Sequence, residues 1–421
     1  MKSICILVQN HYEIDIRVRR KAEALIAAGY SVDVLALASP HSKSNNYNLN
    51  GVNVHTLCLG KQRGSLARYL FEYLAFFLWC FFKITGRMAK RRYSIIDVNN
   101  LPDFLVFAAV YAKLRGAKIV FDMHEITPEF YISKYGIKEN SWLVSFLKFV
   151  ERASFDFADH VIVINDPIKN LLEGRGLPSS KSTVIMNAVD ESLFASAIND
   201  AAFAEPAALP GKFIMMYHGT LTHIYGLDIA IEAFGKVQHE MSGAELWILG
   251  NGPEKKYLQR QVQQAGLDGK VKFIGNVLPQ EVPQWLKRCD IGVLATRQDV
   301  FLDFSFSNKL SEYIILGKGV ISSRLKAIRH YFSEEALAYF EPSNSSDLAR
   351  QMVRLFGQAG LRTRLAEAAK REYSPISWNV MKRRYLNLTA EVIGTKPETT
   401  VLSPEAAGNV ITRETGVINS Q

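Results

Sequence analysis

The chain has 421 residues, too many for one ordinary hydrophobic core, so two domains are the expectation. Hydrophobic residues make up 48% of it, enough to give each domain its own interior. A formal charge of +9 points to an anionic partner without naming one, and the four cysteines (Cys5, Cys58, Cys80, Cys289) are scattered without metal-ligand or disulfide spacing, which suits a reducing cytosol.

The opening run MKSICILVQNHY is too short in its apolar part for a signal peptide and reads as a first strand. RVRRKAEALIAAG follows as a helix, with Val18, Ala22, Leu25 and Ile26 on one face. VDVLAL is a second strand. Next comes YLAFFLWCFF, Tyr73 to Phe82, ten apolar residues against the roughly 20 that a membrane-spanning helix needs. KITGRMAKRR, Lys83 to Arg92, then carries five basic and no acidic residues. On a helix Leu70, Leu74, Phe77, Phe81, Ile84 and Met88 share one stripe, and Lys83, Arg87 and Arg91 another. Two readings fit: a helix lying on an anionic membrane surface, or a core helix with a solvated basic end. No recognised nucleic-acid module accompanies the charge, so nucleic acid is not the expected partner.

SIIDV, AKIVFD, VIVI and STVIMN complete a first set of strands. ASAINDAAFAEPAALPG, Ala195 to Gly211, is rich in alanine and proline and reads as a linker. A second set follows in KFIMMYHG, ELWILG, VKFIG, DIGVLA and GVISS, with helices near 226–240, 253–265, 280–288 and 308–317. Such alternation predicts an α/β protein with two facing Rossmann-like domains, 1–195 and 211–376, and a cleft lined by the loops after the strands. Residues 377–394 form a terminal helix with Trp378, Met381, Tyr385 and Leu388 on one face. Residues 395–421 hold no aromatic residue and read as a disordered tail.

The chemistry belongs on the loops after the second set of strands. In YHGTLTHIYGLD, Gly219 and Thr220 offer backbone amides and a hydroxyl suited to a phosphate; a plain structural turn is the bland alternative. LGNGPEKK places Gly250 and Gly252 in a second turn without the full GxGxxG spacing. In FSNKLSEYIILGKGV, Asn308 caps a helix that Gly317 closes, and Lys309 and Glu312 share a face at its start. A cation beside a helix N-terminus binds a diphosphate, and a carboxylate one turn on accepts from ribose hydroxyls. A surface Lys–Glu pair is the commoner meaning of that spacing; the apolar surroundings favour the site. HEITP lacks the second histidine of HExxH, since Pro128 stands there, and no Asp-x-Asp occurs, so no metal is expected.

Over roughly residues 1–392 these motifs, in order, resemble glycosyltransferase family 4, retaining enzymes of the GT-B fold. FDMHEITPEF resembles the family's Asp-x-His-Asp/Glu loop, VIMNAVD its Asn-Gly-Val-Asp motif, and YHGTLTHIYGLD, ILGNGP, VKFIGNV and NKLSEYIILGKGVI its donor-domain series, the last in the form of an NKLxEY branch. The resemblance implies a donor ribose held by Glu312, a diphosphate met by Lys309 and by the Gly219–Thr220 turn, and a base flanked at Ile274. Gly250 and Asn308 complete the donor set. His124 is implied at the meeting of donor sugar and acceptor. Phe304 stands where the family's first glutamate is expected, and the neighbouring Asp303 is the nearest acidic replacement, with Asp299, His223 and Arg297 further candidates. The implied reaction transfers a sugar from a UDP- or GDP-sugar, a co-substrate rather than a cofactor, to a saccharide or lipid-linked hydroxyl acceptor in bacterial surface polysaccharide synthesis. That places the protein in the cytoplasm, peripheral on the inner membrane face. A nucleotide-sugar epimerase of similar fold and a GT-B-like binding subunit without turnover are the alternatives.

Overall fold

A computed structural model describes residues 2–39, 45–59, 66–194 and 211–395. The first sheet contains β1 (Ser3–His11), β2 (Ser31–Leu37), β3 (Asn46–Leu49), β4 (Val52–Leu57), β5 (Ile95–Asn99), β6 (Lys118–Met123), β7 (His160–Val163) and β8 (Ser182–Val184). The second contains β9 (Phe213–His218), β10 (Ala244–Leu249), β11 (Val271–Gly275), β12 (Ile291–Leu294), β13 (Gly319–Ser323) and β14 (Ala338–Phe340). Their orders are β3-β4-β2-β1-β5-β6-β7-β8 and β11-β10-β9-β12-β13-β14, and every pair is parallel except β3 with β4. Helices cover both faces, so the central strands are apolar along their whole length: Ile4 to Leu7 and Ile214 to Tyr217 are buried without a break. The linker expected at 195–211 and the tail expected at 395–421 fall almost wholly outside the described residues.

This topology sets where ligands can bind. In each sheet the chain leaves the first strand to one side and returns on the other, between β1 and β5 and between β9 and β12. The carboxyl ends of the strands beside such a reversal open onto a crevice. Both crevices meet between the domains. Asn165 donates to the Phe304 carbonyl (2.9 Å), Ser133 to Asp299 (2.6 Å), and Tyr331 to Asp166 (2.6 Å). The Phe130 and Phe301 rings pack edge to face, 5.5 Å apart.

Three strands were not foreseen. β3 (NYNL) has two asparagines on an exposed edge, β4 buries only alternate residues, and β14 is three residues long. The apolar helix also differs from expectation. It runs from Leu66 to Lys90, 25 residues, and its Arg68–Ala89 part is long and apolar enough to cross a membrane. Its buried stripe is Phe76, Cys80, Ile84 and Met88, while Leu70, Phe71, Leu74, Leu78 and Phe82 are exposed. The helix is apolar nearly all round, so periodicity alone did not choose its inner face. Arg87 and Arg91 do not form a free basic face: they lie 3.5 and 3.4 Å from the buried Asp33 carboxylate, which also accepts from Tyr93.

The terminal helix, Trp378–Ile393, buries Trp378, Met381, Tyr385 and Leu388 against the first domain. Arg384 donates to the Val184 carbonyl (3.0 Å), and Tyr385 to Asp97 (2.7 Å). Asp97 belongs to a buried cluster around the Lys21 ammonium, which also contacts Asn99 (3.1 Å) and Asp122. Burial works against the Lys21 charge, and the Asp122 and Asp97 carboxylates more than reverse that, holding its pKa above the usual lysine value. Removing the cation leaves two carboxylates facing one another without water. Lys21→Met is expected to cost about 3–5 kcal/mol in urea unfolding; a loss below about 1 kcal/mol would show that the cluster does not depend on it.

Candidate functional site

The donor-side residues gather at the reversal between β9 and β12. β9 ends at His218, and the chain turns at Gly219 with φ +122°, a conformation that side chains rarely adopt. A Cβ there would strike the Lys309 Cε and lie 3.2 Å from its Nζ. The missing side chain is therefore what lets Lys309 lie across the turn. Its ammonium sits 3.9 Å from the centre of the Tyr225 ring and 5.6 Å from that of Tyr217. Among the described residues it has no carboxylate partner. Tyr217 in turn donates to the Thr220 carbonyl (2.8 Å), pinning the turn.

The expected roles of the two glycines change. Gly219 N–H donates to Leu249 O (2.8 Å) and Gly250 N–H to Gly275 O (2.7 Å), so neither amide is available to a phosphate. Gly250, at φ +134°, instead allows close approach: a Cβ would collide with Gly219 O. Thr220 is exposed, and its N–H is the amide of the turn that no backbone acceptor takes. Together these turns and Asn276–Val277 line a cavity of about 200 Å³. Ile274 is not on its wall; it packs on the core from β11, and the backbone that flanks the cavity lies two to three residues further on.

The Asn308–Ile315 helix supplies Lys309 and Glu312. They are not a surface ion pair. Lys309 turns to the glycine loop, and Glu312 lies 2.5 Å from His218 Nε2. Asn308 is the first helical residue rather than the cap: Ser307 holds that position without a side-chain bond, and Asn308 Oδ1 is buried without a partner. Gly317 follows the helix at φ +67°.

Asp303 does not join this group. Its Oδ1 accepts from Lys326 N–H (2.8 Å) and Gln298 (3.0 Å), so it anchors the start of the Lys326–Tyr331 helix. It faces a separate concavity of about 550 Å³ with Arg324, Lys326, Arg329 and His330. That concavity includes none of the Gly219 and Gly250 turn residues that line the smaller cavity. Of the other candidate replacements, Asp299 and Arg297 are also committed, while His223 is exposed. Asp299 caps Phe301 and Leu302, and Arg297 pairs with Asp228 (2.5 Å) while donating to His223 O. The Phe304 ring lies under Lys326, 4.9 Å away.

In the first domain, His124 follows β6 and is buried. Its Nε2 lies 2.7 Å from Asn99 Oδ1. Asn99 donates its amide to Leu7 O and Asp97, so its oxygen faces the imidazole and Nε2 carries the proton. Nδ1 is buried and has no partner among the described residues, and His124 is part of the wall of a small cavity with Arg17, Asn187 and Trp378. Burial, then Arg17 and Lys21, push the His124 pKa well below the usual histidine value. A neutral ring with a free Nδ1 lone pair can accept a hydrogen bond from a hydroxyl. Next to it, burial pushes the Glu125 carboxyl up to about 7 against the opposing charge of Arg17. Sequence reading missed Arg17, His218 and Lys21. Arg17 and Lys21 sit in a run of basic residues that looks like a solvated helix face, and a histidine ending a strand carries no local signal.

Residues 14–193 match the family model Glycosyltransferase Family 4, and residues 212–358 match Glycosyl transferases group 1. An uncharacterised glycosyltransferase of Methanocaldococcus jannaschii is 24% identical over 177 residues, 42% of this chain and 44% of the relative. A lipopolysaccharide core biosynthesis glycosyltransferase of Rhizobium meliloti is 25% identical over 172 residues, 41% and 46%. The chain thus spans less than half the length of these two relatives. A phosphatidyl-myo-inositol mannosyltransferase of Mycolicibacterium smegmatis is 22% identical over 391 residues, 92% of this chain and 90% of that one. Among solved structures, a sucrose-phosphate synthase from Thermosynechococcus elongatus superposes with a TM-score of 0.74 at 17% identity, covering 94% of this chain and all of that one. An Anabaena protein solved with UDP and glucose gives 0.66 at 15%, covering 93% and 100%. These likenesses establish the fold as GT-B.

The hydrogen-bond directions around His124 make a spectroscopic prediction. Its nitrogen-15 signals should keep the neutral, Nε2-protonated pattern from about pH 8 to about pH 6. Protonation with a midpoint near the ordinary value of about 6.5 would contradict the assignment.

Proposed function

We propose, from a chain whose two halves each match a glycosyltransferase family in a GT-B fold, that it transfers a sugar from a nucleoside diphosphate donor to a hydroxyl acceptor with retained anomeric configuration. The observation that carries the reading is Lys309: a cation without a carboxylate partner, held by two aromatic rings over a turn that only glycine permits. Such a charge is placed for the diphosphate of the donor and for the negative charge that grows on it as the sugar leaves. The Thr220 amide and hydroxyl lie on the same turn. Glu312 lies one helical turn beyond Lys309, for the ribose hydroxyls. His124, in the other domain, is the residue this reading assigns to the transferred sugar.

Little covalent work falls to the protein in this scheme. The buried carboxylates Asp97 and Asp122 are bound to Lys21. Rate enhancement comes from holding donor and acceptor together and from stabilising the leaving diphosphate. The contacts across the domains, Asn165 to Phe304 and Ser133 to Asp299, close the cleft against water, which limits donor hydrolysis.

For the acceptor, we favour a lipid-linked saccharide presented at an anionic membrane. The exposed residues Leu70, Phe71, Leu74, Leu78 and Phe82 form one face of the long helix. On the Trp142–Phe157 helix, Trp142, Phe146 and Phe149 are exposed in a second stripe, Trp142 to 79%. Both helices pack on the Asp103–Ala109 segment, and Lys83 and Lys134 stand over Trp79 and Tyr69 of the long helix. Aromatic and aliphatic side chains flanked by cations suit peripheral attachment to the inner membrane face.

Incubation with UDP-, GDP- and dTDP-sugars, with and without membrane lipid extract, tests the activity. Nucleotide release with a lengthened lipid product is expected. A changed sugar without release means epimerisation, and binding without turnover means a module. Lys309→Met should lower the affinity for a nucleoside diphosphate about 10- to 100-fold and leave that for the bare nucleoside unchanged; equal loss for both would remove Lys309 from the phosphate site. For the membrane, Phe82→Ser with Trp142→Ser should reduce sedimentation with phosphatidylglycerol vesicles at an unchanged unfolding midpoint. Undiminished sedimentation would sink the attachment surface. Charge reversal at Arg87 or Arg91 does not serve this purpose, since both neutralise Asp33.

A further inference from the structure

Glu312 does not reach the cleft as a free side chain. One carboxylate oxygen, Oε2, lies 2.5 Å from Nε2 of His218, the buried last residue of β9. The other ring nitrogen, Nδ1, is 3.0 Å from the Tyr313 hydroxyl oxygen. That hydroxyl has a single proton, and it goes to the Met216 carbonyl at 2.7 Å. Tyr313 can therefore only accept from His218, so Nδ1 carries a proton. Oε2 is committed to His218 through Nε2, and Oε1 has no hydrogen-bond partner among the described residues.

The chain of contacts is supported beneath. A Cβ on Gly292, in the middle of β12, would fall 2.6 Å from the Tyr313 ring. The ring occupies the space that a side chain at 292 would take, and is fully buried there. Met216, Tyr313, His218 and Glu312 thus form a fixed line from the core of the second sheet to its crevice.

We propose that His218 is a positioning residue of the donor site. It holds Glu312 by one oxygen in the rotamer that presents the other to the ribose hydroxyls of the nucleoside diphosphate, with Tyr313 fixing the plane of the imidazole. This rests on the reading of Glu312 as the ribose-binding carboxylate. The role differs from simple bracing of the Asn308–Ile315 helix in what it predicts. Bracing affects every nucleotide alike, whereas positioning affects only those with the ribose hydroxyls that Glu312 meets.

The test is calorimetric binding of UDP and GDP, each beside its 2′-deoxy and 3′-deoxy counterpart, to the full chain. Wild type is expected to favour the tighter-binding ribonucleotide over at least one of its deoxy forms by about 10-fold or more. His218→Leu should bring that ratio to within about twofold of unity while the deoxy affinities hardly change. His218→Gln, whose amide still donates, should restore most of the preference. A His218→Leu protein that keeps the wild-type ratio, or that loses ribo and deoxy affinity equally, overturns the proposal. Wild type without any ribose preference overturns the role of Glu312 itself, a failure of the functional reading that precedes His218. Should His218→Leu not fold, Tyr313→Phe removes the Nδ1 acceptor while keeping the ring, and a reduced ratio there carries the same meaning. An unchanged ratio in that variant overturns the proposal.

Discussion

The first domain depends on one buried ammonium. Lys21 lies on the Ile16–Ala27 helix, yet its charge is spent inside, against Asp97 on β5 and Asp122 on β6. Ions taken out of water are tolerated only when their partners are close and their remaining hydrogen bonds are met. Asn99 and Tyr385 meet them. The consequence is long-range order: one helix, two neighbouring strands and the terminal helix share a single electrostatic knot. Asn99 extends it to His124 and thereby fixes which imidazole nitrogen carries the proton. His124 is held by the same group that fastens the terminal helix to the first sheet.

The second domain achieves its order by omission. At Gly219, Gly250 and Gly292 a Cβ would overlap Lys309, the backbone of the neighbouring turn and the Tyr313 ring respectively. Each empty position is filled by something that matters to the crevice. The cation lies over the first, the second lets the β9 and β10 turns touch, and the third seats the tyrosine that braces His218. These positions order the proposed nucleotide end, to which Phe304 offers no carboxylate and from which Asp303 is turned away into a helix start.

How much of this was legible in the sequence follows from locality. Parallel strands buried on both faces announce themselves as β-branched runs, and the turn–helix pair holding Gly219, Lys309 and Glu312 was found from short motifs. What failed was non-local. The inner face of the Leu66–Lys90 helix was left open because an apolar surface surrounds it and only its neighbours choose a side. Arg87 and Arg91 read as a free basic stripe because Asp33, their partner, lies more than fifty residues away in sequence. Lys21 was missed for the same reason. The glycine amides were assigned to phosphate when the adjacent strand ends already used them, and Ile274 was placed on a cavity wall that begins two residues later. The 25-residue length of the apolar helix was likewise hidden, since the strict apolar run covers only its middle.

The central claim is that Lys309 and Glu312 divide a nucleoside diphosphate between them at the Gly219 turn. A crystal structure of the protein soaked with UDP or GDP addresses it directly. The account predicts diphosphate oxygens within hydrogen-bond distance of Lys309 Nζ and the Thr220 N–H, with a ribose hydroxyl on Glu312 Oε1. A nucleotide bound elsewhere, for example in the concavity lined by Arg324 and Lys326, would contradict it.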